Sequence, residues 1–285
     1  MQENNFTYEI LFIDDGSTDN SWEIIQELQS KYESIRAIKF RRNYGKSAAL
    51  NVAFENSDGE VVITMDADLQ DSPDEIPELY QMIKEGGHDL VSGWKKKRYD
   101  NVLTKNLPSK LFNGVARLVS GIKLHDFNCG LKAYNQKVIK NIEVYGDMHR
   151  YIPIMAKSAG FNNITEKVVT HQARKYGKSK YGINRFINGL LDLMTISFIG
   201  RFGKKPMHFF GLFGVIFTLV GIFILCYLSF EKLILGVSGI SSRPAFFLGM
   251  LLIIVGVQLF IAGFLAELIS RSSNSRNEYK IESEI

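Results

Sequence analysis

Cysteine is nearly absent from this chain, with two among 285 residues. One, Cys129, lies in a polar stretch and the other, Cys226, in an apolar run, so no disulfide framework is available and both read as packing residues. Cysteine and histidine nowhere combine at a zinc-ligand spacing. There is no GxGxxG fingerprint and no Walker loop, since the "GKS" at 45–47 lacks the preceding glycine. These absences set aside thiolate-metal, dinucleotide and P-loop chemistry. The first 180 residues also lack a signal-like segment, as expected of a cytoplasmic domain.

Charge is missing from two places. Residues 209–230 and 245–266 carry none over 22 residues each, against the roughly 20 that a helix needs to cross a bilayer's hydrocarbon. A buried soluble helix is the bland alternative, but two such neighbouring runs, hydrophobic all round, argue for a transmembrane hairpin. Arg201, Lys204 and Lys205 precede the first run, and Arg271, Arg276 and Lys280 follow the second. The connection between them holds only Lys232 and Arg243. The positive-inside bias therefore places both termini in the cytoplasm. The expected organisation is a cytoplasmic domain over 1–182, an amphipathic juxtamembrane segment over 183–205, a hairpin over 206–270 and a cytoplasmic tail over 271–285.

The remaining chain is neither disordered nor strongly basic, at 46% hydrophobic overall and net charge +4. Short apolar runs at 8–13, 35–40, 60–65 and 89–94 alternate with helical patterns at 20–33, 46–56 and 74–85. This alternation predicts a parallel sheet covered by helices. Ligands of such sheets bind beyond the carboxyl ends of the strands. There the chain places "DDGSTD" (14–19), "RRNYGKSAAL" (41–50) and "DADLQD" (66–71). Helix capping accounts for Ser17, Thr18 or Asp19 but not for Asp14 and Asp15. A solvated turn would account for "DADLQD" taken alone. Crowded carboxylates raise one another's pKa unless a positive charge joins them. A hard divalent cation, Mg²⁺ or Mn²⁺, bridging to a diphosphate is the expected partner.

The ordered set "IDDGSTDNS" (13–21), "RNYGKSAAL" (42–50) and "DADLQDSPDE" (66–75) resembles glycosyltransferase family 2. Specifically, it resembles the membrane-anchored polyprenyl-phosphate glycosyltransferases related to dolichyl-phosphate mannose synthase. "DFNCGLKAY" (126–134), "HRYIP" (149–153), "RKYGKSKYG" (174–182) and the terminal hairpin extend the likeness over nearly the whole chain. The resemblance implies an α/β, Rossmann-like GT-A domain that transfers a sugar from a nucleotide diphosphate to a polyprenyl phosphate such as undecaprenyl phosphate, with inversion. It implies that Asp14 and Asp15 hold the base and ribose, with Lys46 near the nucleotide. Asp66 and Asp68 would form a DxD motif for the metal, helped by Gln70. Asp126 would lie at the reaction centre, with Asp147 a weaker candidate.

An anionic acceptor needs cations, and residues 171–185 carry five and no acid. Arg174, Lys178, Ser179 and Lys180 are the expected phosphate-binding set. The rival reading is a loop that only touches anionic headgroups. Nucleic acid, the other partner for basic runs such as Lys95–Arg98, does not suit a chain with two membrane spans. His125, His149 and His171 read as structural, with His149 near the acceptor. The resemblance also implies the bacterial inner membrane and assembly through the membrane helices.

Two departures stand out. Such relatives begin with a strand that packs centrally in the sheet, whereas Met1 falls in what reads as the end of the first helix. The first strand is thus expected to be missing, with unpaired edges and apolar surface left behind, through a misplaced start or in an inactive copy. Lys132 also stands where arginine is common, keeping the charge without the bidentate fork. A processive polymer synthase is disfavoured, because the chain lacks a QxxRW segment and further spans. A truncated, non-catalytic membrane protein is the alternative. The sugar is not legible; UDP-glucose, UDP-N-acetylglucosamine and GDP-mannose all fit, with a UDP-sugar favoured.

Overall fold

The structure, a computed structural model, describes residues 6–96, 107–172, 192, 193, 195, 198, 202, 205–236 and 239–272. The chain divides into two compact units, Met1–Ser197 and Phe198–Ile285.

The first unit opens with the expected alternation. The runs ILFID, IRAIK, VVIT and LVSGW form β1 (Ile10–Asp14), β2 (Ile35–Lys39), β3 (Val61–Thr64) and β4 (Leu90–Trp94). Between them lie α1 (Ser21–Lys31), α2 (Lys46–Asn56) and α3 (Ile76–Lys84). Ser72 begins the turn into α3 by accepting a hydrogen bond from Asp74 N, and prolines at 73 and 77 occupy first-turn positions, where no amide is needed. Beyond them come α4 (Leu107–Ser120), β5 (Lys132–Asn135), α5 (Gln136–Ile139), α6 (Ile152–Ser158) and β6 (Ile164–Val168).

The expected single parallel sheet is corrected in two respects. β1 and β2 pair in parallel, Ile10 opposite Ile35 through Asp14 opposite Lys39, as a two-stranded sheet. The other strands form a second sheet in the order β3-β5-β4-β6, with β5 antiparallel to both neighbours and β6 parallel to β4. The direction of β5 has a topological cause. After α4 the chain returns along the carboxyl rim, so β5 starts there, with Lys132 opposite Thr64 and Ser92. The segment just before β5 is thereby laid across the rim.

The core lies in the second sheet. Leu90, Val91, Leu131, Ala133 and Tyr134 are essentially fully buried. Leu79 and Ile83 of α3 pack with Val91, Leu131 and Ala133, while Phe54 of α2 meets Tyr134 edge-on at 5.3 Å. Each such large aliphatic side chain contributes about 1.5–3 kcal/mol by burial. The first sheet is thinner. No residue of α1 is buried, Ile10 is 40% exposed, and β3 is only half-buried. Among the described residues β1 and β3 each have a single strand neighbour. A cavity of about 440 Å³ beside α1, lined by Leu11, Trp22 and Ala37, lies away from the carboxyl rim.

The second unit is a helical hairpin, α7 (Pro206–Leu235) and α8 (Pro244–Ser272). Both helices are long and apolar enough to cross a membrane. The two charge-free runs fall inside them. Their contact is made by glycine: a Cβ on Gly214 would meet Gly256 O at 2.7 Å, and one on Gly221 would meet Gly249 O at 2.6 Å. Gly214 and Gly221, like Gly249 and Gly256, are seven residues apart, the repeat that keeps one seam facing a partner helix. Cys226 is exposed on α7 rather than packed, because it lies off that seam. Cys129 is buried.

Candidate active site

Four strand ends and one strand beginning supply the rim. Asp14, the last residue of β1, is 4% exposed and accepts a hydrogen bond from Ser17 N at 2.8 Å. Asp15 reaches the next loop, its two carboxylate oxygens accepting from Tyr44 N (2.7 Å) and Gly45 N (2.9 Å). The two turns approach so closely that a Cβ on Gly16, at φ +72°, would lie 2.5 Å from the Arg42 carbonyl carbon. Only glycine suits such a position. The next residue, Lys46, opens α2 and pairs through Nζ with Asp66 just past β3. Asp15 thus ties the turn after β1 to the loop after β2, and Lys46 links that loop to the second sheet along the carboxyl edge.

The "DADLQD" segment is surrounded by lysine. Asp66 lies against Gly130, where a Cβ would meet its carboxylate. Burial alone would raise the Asp66 carboxyl, but Lys46, Lys95 and Lys132 outweigh it and hold the group below the ordinary range. Asp68 is half-buried, with Oδ1 accepting from Gln70 N at 3.2 Å. Between them Leu69 has φ +60°, the one non-glycine at positive φ among the described residues, and is 61% exposed. Strain of this kind collects at functional sites. Asp71, its side chain fully buried, pairs with Lys95 Nζ at 2.7 Å and faces His171 Nδ1 at 3.7 Å. Burial opposes the charge on Lys95, yet Cys129, Asp71 and Asp66 together raise its pKa.

The segment laid across the rim is pinned at each residue. Glu166 accepts from His125 N and pairs with its ring, which stacks on Trp94 at 4.1 Å. Asp126 is 1% exposed; its carbonyl accepts from Ser92 Oγ and its Oδ1 from Asn128 N at 3.0 Å. Asn113 Oδ1 accepts from Phe127 N. Buried Lys132 donates to the carbonyls of Phe127 (3.2 Å) and Cys129. Desolvation lowers the Lys132 pKa, and the two carbonyl contacts are the work that a single ammonium does in place of a guanidinium fork. A small cleft between Lys46, Thr64, Asn128, Gly130 and His149 opens among these groups. His149 is held by Ser47, whose buried hydroxyl lies 3.1 Å from Nδ1 and accepts from the His149 amide at 3.0 Å.

Asp14, Asp15, Lys46, Asp66, Asp68 and Gln70 therefore share the rim with Asp126, while Asp147 is exposed. Arg174, Lys178, Ser179 and Lys180 lie outside the described residues. Sequence reasoning missed Lys95, considered only as part of a basic run of the kind nucleic acid binds, and Ser47. Lys95 directly follows the last residue of β4, so the strand-end rule that found the acids applied to it as well.

No group of three or more His, Cys, Asp or Glu side chains that could hold a metal occurs among the described residues. That donor count does not exclude a hard cation bound mainly through phosphate oxygens, which takes only one or two protein carboxylates. Asp66, Asp68 and Gln70 offer oxygen donors from one loop, so the residue chemistry fits such an ion.

A family model described as "Glycosyl transferase family 2" matches residues 2–143. Over 267 residues the chain is 37% identical to dodecaprenyl-phosphate galacturonate synthase of Rhizobium johnstonii, covering 93% of this chain and 79% of that protein. It is 34% identical over 268 residues to undecaprenyl-phosphate 4-deoxy-4-formamido-L-arabinose transferase of Edwardsiella ictaluri, covering 94% and 80%. Among solved structures, glucosyl-3-phosphoglycerate synthase from Mycobacterium tuberculosis superposes with a TM-score of 0.48 at 18% identity, over 64% of this chain and 67% of that one.

Proposed function

The chain belongs to glycosyltransferase family 2, as a polyprenyl-phosphate glycosyltransferase, and on that premise we propose that it moves a sugar from a nucleotide-diphosphate donor to the phosphate of a polyprenyl lipid, with inversion, at the cytoplasmic membrane face. The observation that carries this reading is the rim itself, where Asp15 is bonded to Gly45 and Lys46 to Asp66. Three strand-end loops meet there in a mixed-charge cleft suited to a diphosphate. Asp14 and Asp15 stand on the base and ribose side of it, and Lys46 on the phosphate side. Asp66, Asp68 and Gln70 would hold a Mg²⁺ or Mn²⁺ ion, which supplies electrostatic relief to the leaving diphosphate.

The acceptor needs little help to react. A phosphate monoester has a second pKa of about 6, so it is largely dianionic at neutral pH. One of its oxygens attacks the anomeric carbon, the bond from that carbon to the diphosphate oxygen breaks, and the nucleoside diphosphate departs with the electron pair. No proton has to be removed from the dianion. Asp126, buried and bonded to Asn128 N, accordingly orients the acceptor or the sugar hydroxyls. Arg174, Lys178, Ser179 and Lys180 would receive the lipid phosphate.

The test is transfer of label from UDP- and GDP-sugars into organic-extractable lipid, in membranes with Mn²⁺ and undecaprenyl phosphate. One donor should label the lipid, and Asp68→Asn should lose activity by about 10²–10³-fold, the usual loss when one electrostatic stabiliser is removed. Unaltered turnover in that variant would remove the metal from the mechanism. Among the described residues β1 and β3 each have a single strand neighbour; a non-catalytic membrane protein of the same descent is the second reading. Absence of label with every donor, despite good expression, would select it.

A further inference from the structure

Residues 121–131 belong to no helix or strand, so no backbone ladder fixes the segment that carries Asp126. Side chains from the sheet do so instead. Ser92 of β4 and Glu166 of β6 are partners in the parallel register, and Trp94 follows Ser92 by two. Residues two apart on a strand share a face, as do those in register on its neighbour. All three side chains therefore meet the segment from one side of the sheet. Ser92 Oγ donates to Asp126 O at 3.2 Å. Glu166 takes the preceding residue, one carboxylate oxygen accepting from His125 N at 2.6 Å and the other pairing with His125 Nδ1. The His125 ring lies nearly flat on Trp94, with 12° between the planes.

Stability does not account for the Glu166–His125 contact. The His125 side chain is 51% exposed, and ion pairs open to solvent add little to folding. Glu166 is only 16% exposed, and its two oxygens meet two groups of one residue, an arrangement that fixes orientation as well as contact. The residue so fixed is the immediate neighbour of Asp126, whose own carbonyl is held by the register partner of Glu166. We propose that Glu166 is a positioning residue for transfer, setting the place of the Asp126 carboxylate through the amide and ring of His125. The proposal rests on the functional reading above, in which Asp126 orients the acceptor or the sugar hydroxyls.

The experiment follows label from UDP- and GDP-sugars into undecaprenyl phosphate, with Mn²⁺ and the full chain in nanodiscs. Glu166→Ala should lower kcat about 10–100-fold, the scale of a displacement at a reacting centre, while calorimetry finds nucleotide affinity unchanged. Glu166→Gln should recover most of the loss, since an amide accepts from His125 N through its oxygen and donates to the ring through its nitrogen. In an Asp126→Asn background Glu166→Ala should cost less than about threefold more, because residues that act as a unit are not additive. Damage elsewhere in the fold would multiply instead. His125→Ala cuts the same link from its exposed side and carries the same expectation should Glu166→Ala fail to fold. If Asp126→Asn transfers too little to read, the fraction of chains that bind nucleotide decides. A full complement in Glu166→Ala supports positioning, and a fraction that falls in step with kcat overturns it. Wild-type transfer in folded Glu166→Ala, or an equal loss in both backgrounds, would overturn this proposal alone. Absence of transfer by the unaltered chain with every donor would overturn the functional reading and this inference with it.

Discussion

Alanine at Gly130 and alanine at Gly16 introduce the same methyl into two crowded places, with opposite expected results. At Gly130 the new Cβ would lie 2.7 Å from Asp66 Cγ, far inside the ~3.5 Å at which carbon atoms meet comfortably. The obstructing group is the end of a flexible side chain that is 38% exposed, so it can swing aside. Loosening the Lys46 pair then costs about 0.2–1 kcal/mol, as for other solvent-screened pairs, and the protein stays folded. Activity is another matter, because a misplacement of about 1 Å at a reacting centre costs on the order of a hundredfold. At Gly16 the obstruction is the Arg42–Asn43 backbone, at 2.5 and 2.7 Å, with φ +72°. Left-handed backbone costs about 1–2 kcal/mol and overpacking about 1–3 kcal/mol more, so Gly16→Ala should lose about 2–5 kcal/mol of stability. Thermal unfolding in detergent and lipid-linked sugar transfer, run on both variants, separate the two effects. A folded Gly130→Ala protein with wild-type transfer would refute the importance of where Asp66 sits. One that unfolds as readily as Gly16→Ala would refute the claim that the carboxylate yields.

Two further outcomes follow from the same contacts. Asp126→Asn should retain measurable transfer with no new steep pH dependence, checked by a pH–rate profile; an enzyme dead at every pH despite normal nucleotide binding would point to general-base work instead. Burial by itself would raise the Glu75 carboxyl, but Lys167 and Thr170 outweigh it and hold it below its ordinary value. A lowered folded-state pKa contributes stability above the unfolded value, about 4.3, and loses it as pH falls through the folded value. Glu75→Gln should therefore destabilise by about 2 kcal/mol at neutral pH, the scale of a charged hydrogen bond. In urea titrations the difference from wild type should close in acid, and a gap that persists there would contradict the assignment.

The legible parts of the chain were those written in periodicity. ILFID, IRAIK, VVIT and LVSGW alternate with helical patterns, and each became the element expected. β5 and β6 went unread for a physical reason. KAYN is four residues long and starts with a lysine, and ITEKV carries two charges. Both join the sheet through pairing with β4, a tertiary cause that leaves little local trace. The acids of the rim were visible because strand ends bind ligands, and Lys46 was visible with them, whereas Lys95 was not. The chain balances Asp66 and Asp71 with Lys46 and Lys95, and a lysine four residues into "SGWKKK" reads as solvated until the fold turns it inward. Asp15 was similar, its bonds to Tyr44 and Gly45 spanning a distance in sequence that no motif encodes.

The glycine seam of the hairpin also limits how the membrane unit can meet its surroundings. Gly214, Gly221, Gly249 and Gly256 are consumed in bringing α7 and α8 backbone to backbone, so the small residues that let membrane helices approach closely are spent within one chain. What remains outward is bulky, with Leu219, Phe223, Phe247 and Leu251 at half or more exposure. Lipid tails can wet such a surface without penalty. A second hairpin would have to fit it knob against knob, so any pairing of chains in the bilayer would depend on shape matching between large side chains and would respond to changes in their volume.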